Sequence, residues 1–288
     1  MRGTALARLL QQTRAAMFVP AAAADIDRII APAVQAGCKG VAQLAGKPQE
    51  VPAAPLVDPF MLVKPELQCL SSRINEAVAC EIPTLQKAAS YFFQGGKEGK
   101  RIRSTVCLLV SSAVSAAPPP ADHVHTADLR PVSTVPEEQR RRQQRIAEIA
   151  ELIHVASLLH DDVIDDAETR RGKAALNHVL GNKVAILAGD FLLARASMTL
   201  ASLKCTDVVT LMSQILEDLV SGEVLQATAS AHSLTTMQHY LQKTYLKTAS
   251  LMANACEAAA VVSDASATTR ETAHRLGKNI GLAFQVCC

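Results

Sequence analysis

The spacing of apolar residues along the chain predicts a protein built from helices. From residue 66 onward, apolar side chains recur every three or four positions, which is the period of one helix face. The first such run contains Leu67, Leu70, Ile74, Val78 and Ile82. A later apolar segment, residues 153–159, runs directly into four aspartates. Alanine and leucine dominate the composition and favour helix, so we expect an all-α fold.

Three segments lack this periodicity. Residues 1–24 contain three arginines and no acidic residue, a pattern typical of a cleavable mitochondrial transit peptide. A plastid transit peptide and a disordered basic tail are the alternatives. Residues 25–66 hold six prolines, which predicts a linker or extended arm. Residues 116–136 are again rich in proline and are expected to form a disordered insert. The helical domain is therefore assigned to residues 67–288.

Composition excludes several classes of function. The net charge of the 288-residue chain is only +2, which is too small to imply a nucleic-acid partner. The charged run at 137–145 lacks aromatic residues and is expected to be a solvated helix face. No uninterrupted apolar run reaches the length of a membrane span. The eight cysteines form no Cys-x-x-Cys pair, so we expect mostly reduced, buried thiols in an intracellular compartment.

The aspartate-rich stretch carries the strongest chemical signal. On a helix, residues four apart lie about 40° apart around the axis, so His154, Ser157, Asp161 and Asp165 share one face. Carboxylates this close repel one another and need a positive charge nearby. Hard oxygen ligands suit Mg²⁺ together with substrate phosphate oxygens. A solvated acidic helix end is the alternative, although acidic residues at a helix C-terminus oppose the helix dipole.

Basic residues at three other places fit a diphosphate ligand. Arg170 and Arg171 follow the aspartates, and guanidinium groups recognise phosphate bidentately. Lys100 and Arg103 share a face at the start of a helix that follows a glycine-rich turn, where an anion is favoured. A basic helix cap on a solvated loop is the alternative there. Further along, Lys247 and the adjacent Thr248 could address a phosphate, or could be two surface residues.

These motifs, taken in order, resemble those of the trans-isoprenyl diphosphate synthases. That family's first aspartate-rich region reads Asp-Asp-x-x-Asp followed by Arg-Arg-Gly, and the matching residues are Asp161, Asp162, Asp165, Arg170, Arg171 and Gly172. The glycine-rich turn is similar to the family's Gly-Gly-Lys-x-x-Arg motif, with Ser104 where the family usually has proline. The resemblance covers roughly residues 67–286.

The resemblance implies a fold, a reaction and a cofactor. It implies antiparallel helices around a central cavity, and the repeated 1'-4 condensation of an allylic diphosphate with isopentenyl diphosphate. Mg²⁺ would be held by Asp161, Asp162 and Asp165. Family members pair as dimers, so a homodimer, or a heteromer with another prenyl synthase subunit, is expected. Peripheral membrane association is compatible with release of an apolar product.

The same resemblance assigns roles to individual residues. Arg170 would hold the leaving diphosphate, whereas isopentenyl diphosphate would be held by Lys100, Arg103, His154 and Arg171. The alternative for His154 is a buried core histidine whose hydrogen bonds are made within the protein. Lys247 and Thr248 would bind the allylic diphosphate and steady the cation, and Gln285 belongs to the family's Phe-Gln pair.

Product length is expected to be set near Ala156 and Ser157. In the family, bulky aromatic residues at these positions close the floor of the product pocket. Small residues leave the pocket deep, because a growing hydrocarbon cannot pass a ring wedged into a close-packed tunnel. The resemblance therefore implies long-chain products, such as the tails of quinones.

The chain departs from the family pattern after Phe284 and Gln285. A second Asp-Asp-x-x-Asp is expected to follow there, but the chain has Val286, Cys287 and Cys288. We expect a C-terminally truncated synthase domain. The alternatives are a non-catalytic or regulatory subunit of a heteromeric prenyl synthase, and a class I terpene cyclase. Lys100, Arg103 and Arg171 discriminate against the cyclase, which binds no isopentenyl diphosphate. Asp190 lies in an apolar run and is expected to be paired or to line a cavity.

Overall fold

The computed structural model describes residues 58–93, 101–115, 135–170, 172–230 and 236–287. Within these ranges the chain is almost entirely helical, which confirms the predicted all-α fold. Residues 1–57, 94–100, 116–134, 171, 231–235 and 288 lie outside the described residues. They include Lys100, Arg171 and most of the predicted insert at 116–136. The helices are α1 (Pro59–Leu62), α2 (Lys64–Ala77), α3 (Pro83–Ala89), α4 (Ile102–Ser115), α5 (Glu137–Ile164), α6 (Leu176–Leu180), α7 (Asn182–Ser202), α8 (Thr206–Ala227), α9 (Met237–Thr244), α10 (Ser250–Val261) and α11 (Ala267–Cys287).

Helix α5 is the axis of the bundle and packs against α2, α4, α7 and α10. Its first turn carries Glu137 and Glu138, which suit the positive end of the helix dipole. The helix ends where the amide of Asp165 bonds to the carbonyl of Asp161 and Asp166 turns left-handed at φ 49°. The aspartate stretch therefore lies at the C-terminal end of the helix, as predicted.

Helix α10 is buried on nearly every side. All of its residues except Glu257 are buried, and it packs against α4, α5, α8 and α11. Small side chains allow these neighbours to approach closely. At Gly277 of α11, an added Cβ would lie 2.5 Å from the carbonyl oxygen of Met252, so only glycine fits there.

Helix α7 is, by length and composition, apolar enough to cross a membrane. One third of its most apolar window is buried, and the helix packs along α5. The core helix of a helical bundle passes the same test, so the feature is weak support for a membrane span. Asp190, on this helix, is largely exposed and lies 3.5 Å from Nε2 of His160, so it is accessible rather than enclosed.

The charged run at 137–145 is solvated on one side only. Four of its charged residues are exposed, as its composition predicts, namely Glu137, Glu138, Arg141 and Arg145, but another side of the helix is buried. Arg140 is only 6% exposed, because it packs against α2 and bonds to both carboxylate oxygens of Glu66. Gln143 is fully buried and donates to the hydroxyls of Ser115 and Ser263. This part of α5 is therefore a buried polar network that joins α2, α4 and the turn after α10.

The proline-rich arm contains more structure than its prolines indicate. Pro59 and Pro65 lie in the first turns of α1 and α2, where proline is tolerated because those amides have no partner in the helix. Val63, between the two helices, is fully buried. The packed region therefore begins before the predicted boundary at residue 66.

A single turn of π-helix, Tyr245–Ala249, separates α9 from α10. The amide of Ser250 bonds to the carbonyl of Tyr245, five residues earlier, so the turn holds one residue more than an α-helical turn. The helical axis continues through it. Lys247 and Thr248 lie inside this turn.

A short antiparallel hairpin follows the aspartates. Strand β1 (Thr169–Arg170) pairs with β2 (Lys173–Ala174), and the register places Arg170 opposite Lys173. Gly172 has a φ of 72°, which side chains rarely adopt. The hydroxyl of Tyr91 donates to the carbonyl of Ala174 at 2.8 Å, so the hairpin is tied to the segment after α3. These contacts fix the position of Arg170.

Candidate active site

Asp161, near the end of α5, faces charged groups from two other elements. Burial raises the pKa of Asp161 to about 6, the negative charge of Glu223 adds to the shift, and Lys247 opposes it. A hydrogen bond with Glu223 and the charge of Asp165 raise this pKa further. A hydrogen bond between two carboxyl groups needs one shared proton. The structure therefore brings α5, α8 and the π-helical turn together around a group of acidic side chains.

Lys247 is the cation of this group. Its Nζ lies 2.5 Å from Oε1 of Glu223 and 3.3 Å from Oε1 of Gln226, and the lysine and glutamate side chains are each about one fifth exposed. Gly222 lies directly beneath the lysine, since an added Cβ would be 2.8 Å from its Cγ. Thr248 is half-buried in the same turn. The predicted Lys-Thr pair therefore stands beside the aspartate helix.

The three predicted metal ligands have different surroundings. Asp162 is fully buried, and its Oδ1 accepts from Nε and Nη2 of Arg170 at 2.7 and 2.5 Å. The side-chain amide of Asn177 donates to the Asp162 carbonyl at 3.1 Å. The second carboxylate oxygen of Asp162 has no hydrogen-bond partner among the residues that the structure describes. Asp165 is exposed at the helix end. Asp162 thus holds the hairpin, whereas Asp161 faces Glu223 and Lys247.

Arg103 and His154, both predicted to bind substrate, are brought together. Nη1 of Arg103 lies 3.1 Å from Nε2 of the buried His154. Since a guanidinium only donates, Nε2 is the acceptor in this pair, and the imidazole is held in one tautomer. The next residue, Ser104, is fully buried and donates to Oε2 of Glu151 at 2.9 Å. The proline-to-serine departure thus adds a bond between α4 and α5.

Ala156 and Ser157, which are predicted to set product length, lie on the packed side of α5. Ala156 is fully buried, and Ser157 is half-buried with its hydroxyl donating to the carbonyl of His154 at 2.9 Å. Gln285 lies on α11 with an exposed side chain, and its carbonyl accepts from the hydroxyl of Tyr240 at 3.1 Å.

The face of α5 that carries His154, Ser157, Asp161 and Asp165 becomes less buried from His154 to Asp165. This face is therefore buried at one end and open at the other.

Glu223 and Gln226 were not among the predicted catalytic or binding residues, although both contact Lys247. Together with Gly222 they form a Gly-Glu-x-x-Gln sequence on α8. A carboxylate and an amide three apart on one helix face, beside a glycine, could have indicated a site that faces another helix. The pairing with Lys247 needs the three-dimensional fold.

The acidic side chains are of the kind that binds a divalent cation, but they are not arranged as a complete metal-binding cage. Asp161, Asp165 and Glu223 supply hard oxygen donors, which Mg²⁺ prefers. Burial and the charge of Glu223 raise the pKa of Asp161, and a cation bound beside these carboxylates would lower it again. In the part of the chain that the structure describes, no three histidine, cysteine, aspartate or glutamate side chains form a ready metal cage. Magnesium typically keeps several waters and takes substrate oxygens, so a complete protein cage is not required.

The helical fold is that of a known class of proteins, the polyprenyl synthases. A solved polyprenyl synthase from Caulobacter crescentus, complexed with calcium and isoprenyl diphosphate, superposes with a TM-score of 0.66 and 28% identity, over 79% of this chain and 62% of that one. The family model for polyprenyl synthetase matches residues 82–287. The chain belongs to the polyprenyl synthetase family.

Curated relatives refine the comparison. Solanesyl diphosphate synthase 3, chloroplastic/mitochondrial, of Arabidopsis thaliana is 50% identical over 230 residues, covering 80% of this chain and 53% of the relative. A probable mitochondrial hexaprenyl pyrophosphate synthase of Yarrowia lipolytica is 39% identical over 280 residues, covering 81% of this chain and 62% of the relative. The chain thus spans between half and two thirds of the length of these relatives.

Proposed function

We propose that this chain is a trans-polyprenyl diphosphate synthase domain that condenses an allylic diphosphate with isopentenyl diphosphate and makes long-chain products for quinone side chains. The convergence of Asp161, Glu223 and Lys247 from three separate elements is the observation that carries the proposal. A helix surface exposed only to water would not need to bury a lysine between carboxylates. Membership of the polyprenyl synthetase family and the long-chain products in the names of its relatives support the same reaction.

Residues of this chain would divide the work between two diphosphates. Asp161 and Asp165 would hold Mg²⁺, with Asp162 supporting them through its bond to Arg170. When bound, the ion supplies positive charge that stabilises the leaving diphosphate. Lys247 is placed beside these carboxylates to donate to the same diphosphate, and Thr248 adjoins it. Catalysis by such groups is mainly electrostatic and needs no side-chain nucleophile.

The second diphosphate would be bound about 10 Å further along α5, since His154 precedes Asp161 by seven residues at 1.5 Å each. Arg103 and His154 already contact one another there. Lys100 and Arg171 complete this subsite in the proposal. The small side chains of Ala156 and Ser157 would not obstruct a long hydrocarbon as an aromatic ring would.

We also propose the setting of the enzyme. The mitochondrial names of the relatives and the basic N-terminal segment support a mitochondrial location, with a plastid as the alternative. A homodimer, or a heteromer with another prenyl synthase subunit, is the proposed assembly. No nucleic-acid partner is proposed.

The experiment measures condensation directly. The full chain is incubated with Mg²⁺, farnesyl diphosphate and radiolabelled isopentenyl diphosphate, and the products are sized by chromatography. Label in long prenyl chains is the expected result. Asp161→Asn should lower incorporation at least about a hundredfold. Asp190→Asn, which removes an exposed carboxylate on α7, is the matched control and should leave incorporation unchanged.

Two other results would replace the proposal. No incorporation by a folded chain that still binds diphosphate in the presence of Mg²⁺ would favour a non-catalytic subunit. A cyclised product from farnesyl diphosphate, formed without isopentenyl diphosphate, would favour a terpene cyclase.

A further inference from the structure

The π-helical turn at Tyr245–Ala249 requires an explanation of its own. An extra residue in a helical turn weakens its hydrogen bonding, and such turns persist where surrounding contacts hold them. Lys247 is the central residue of this turn. Whatever holds the turn therefore also sets the direction of the lysine.

Asp218 on α8 lies beneath the end of the turn. It is 8% exposed, and its Oδ2 accepts from the hydroxyl of Ser250, the first residue after the turn. Its Oδ1 accepts from the side-chain amide of Gln214 at 3.1 Å. No lysine, arginine or histidine forms an ion pair with Asp218 in the described ranges of the chain. A buried carboxylate held only by neutral donors costs stability, so it points to a role beyond stability.

Ser250 is bonded so that its hydroxyl hydrogen points at Asp218. The side-chain amide of Asn254 donates to the Ser250 hydroxyl at 3.2 Å and to its carbonyl at 3.0 Å. Tyr245, at the other end of the turn, is also close, since burial and the charge of Asp218 raise its pKa. The Ser250 end of the π-helical turn is therefore bonded to this buried carboxylate, and Tyr245 at the other end lies within reach of its charge.

The same face of α8 also carries the partners of Lys247. Asp218, Gly222 and Gln226 are spaced four apart and therefore lie in one row. Gly222 leaves room for the lysine stem, and Gln226 contacts its Nζ. On the opposite side, Gly281 of α11 allows the turn to approach closely, because an added Cβ would lie 2.6 Å from Cα of Ala249. The turn is clamped between α8 and α11.

We propose that Asp218 is a positioning residue: by accepting the hydroxyl of Ser250 it fixes the π-helical turn and so directs Lys247 towards Glu223 and Asp161. The role of a correctly directed Lys247 in catalysis rests on the proposed function. The positioning itself does not, because it is a property of the folded chain. Asp218 touches neither the diphosphate nor the metal in this scheme.

The test compares Asp218→Leu, which removes the acceptor, with Asp218→Asn, which keeps an oxygen acceptor of the same shape. The accessibility of Lys247 is measured by timed reductive methylation of the full chain and mass spectrometry, with the exposed Lys183 on α7 as the internal reference. Asp218→Leu should raise the labelling rate of Lys247 about tenfold, because the amine would lose its ion pair with Glu223 and become more accessible to the reagent. Asp218→Asn should leave the labelling rate of Lys247 close to that of the unaltered chain. Ser250→Ala should raise the labelling rate as Asp218→Leu does. It tests the positioning role if Asp218→Leu does not fold.

A second readout separates positioning from the proposed function. Binding of inorganic diphosphate with Mg²⁺ is measured by calorimetry, and Asp218→Leu should weaken it about tenfold. If the unaltered chain binds no diphosphate, the proposed function fails, while the labelling rates still decide the positioning role. Equal labelling of Lys247 in the unaltered chain and in folded Asp218→Leu or Ser250→Ala would overturn the inference. Labelling in Asp218→Asn as fast as in Asp218→Leu would also overturn it, since an acceptor would then be insufficient.

Discussion

Replacing Arg140 by methionine tests whether the polar network in α5 holds the bundle together. The arginine is buried at 8% side-chain exposure, and its partner Glu66 is 15% exposed. Two parallel hydrogen bonds join them, at 2.7 and 2.5 Å. A third bond, at 2.9 Å, runs from Arg140 to Gln143. Methionine fills a similar volume but leaves the glutamate carboxylate without a cation.

The expected loss follows from what remains around Glu66. Removing one member of a buried ion pair costs about 3–5 kcal/mol. Glu66 keeps a bond from the side-chain amide of Gln144 at 2.8 Å and some contact with water, so the lower end of that range applies. We expect the unfolding free energy to fall by about 3 kcal/mol, which is about 6–12 °C in Tm for a domain of this size.

Urea denaturation followed by circular dichroism at 222 nm measures this change. Arg140→Lys keeps the charge but not the paired geometry, and should cost about 1–2 kcal/mol. The double variant Glu66→Met with Arg140→Met removes both charges and should recover at least half of the loss, since an apolar pair needs no compensation. A loss under about 1 kcal/mol for Arg140→Met, or a double variant no more stable than the single one, would refute the reasoning.

Three further predictions concern other parts of the bundle. Burial raises the pKa of Cys256 to about 12 and raises that of Cys107 above its ordinary range, so only the unfolded chain loses these protons just above pH 9. Stability should therefore fall with rising pH from about 9, by about 1.4 kcal/mol per pH unit for each thiol, and replacing both cysteines by alanine should flatten the slope in denaturant titrations. Gly281→Ala forces a methyl group against the backbone of Ala249 and should cost about 1–2 kcal/mol despite better helix propensity, so an unchanged Tm would contradict the close approach. Lys247→Met leaves two carboxyl groups facing each other and should lower the unfolding free energy by about 1 kcal/mol at pH 7.5, a loss that saturating salt should reduce if it is electrostatic.

The sequence was sufficient to predict the helices in which apolar residues recur regularly. Helix α5 could be predicted up to its aspartates, because its apolar residues follow the helical period without a break. The pairing of Arg103 with His154 agrees with the roles that the family resemblance implies, and both roles stay predictions. Hydrophobic period and local motifs therefore locate elements and candidate residues well.

Features that depend on a partner helix could not be predicted. Arg140 lies in a charged run that is typical of a solvated surface, and only the position of Glu66 on another helix makes it a buried residue. Asp161 and Asp162 are adjacent in sequence, yet a step of about 100° around the helix turns one towards Lys247 and the other towards Arg170. Composition cannot distinguish two neighbouring aspartates.

The π-helical turn was also beyond prediction. One additional residue in a turn changes neither the composition nor the approximate spacing of apolar residues in 237–261. The cause lies in Asp218 and Gly281, which belong to helices before and after it in the chain. A local pattern cannot report a conformation that distant contacts impose.

The nearly complete burial of α10 has a consequence for how sequence variation in this family should be interpreted. Every position on this helix except Glu257 is buried and most side chains are small, so mutational tolerance there is low whatever the helix does chemically. Invariance in α10 after Ser250 would follow from packing alone. Genetic variants in this helix after Ser250 are therefore expected to act through loss of folded protein, and those in the open end of α5 through loss of turnover.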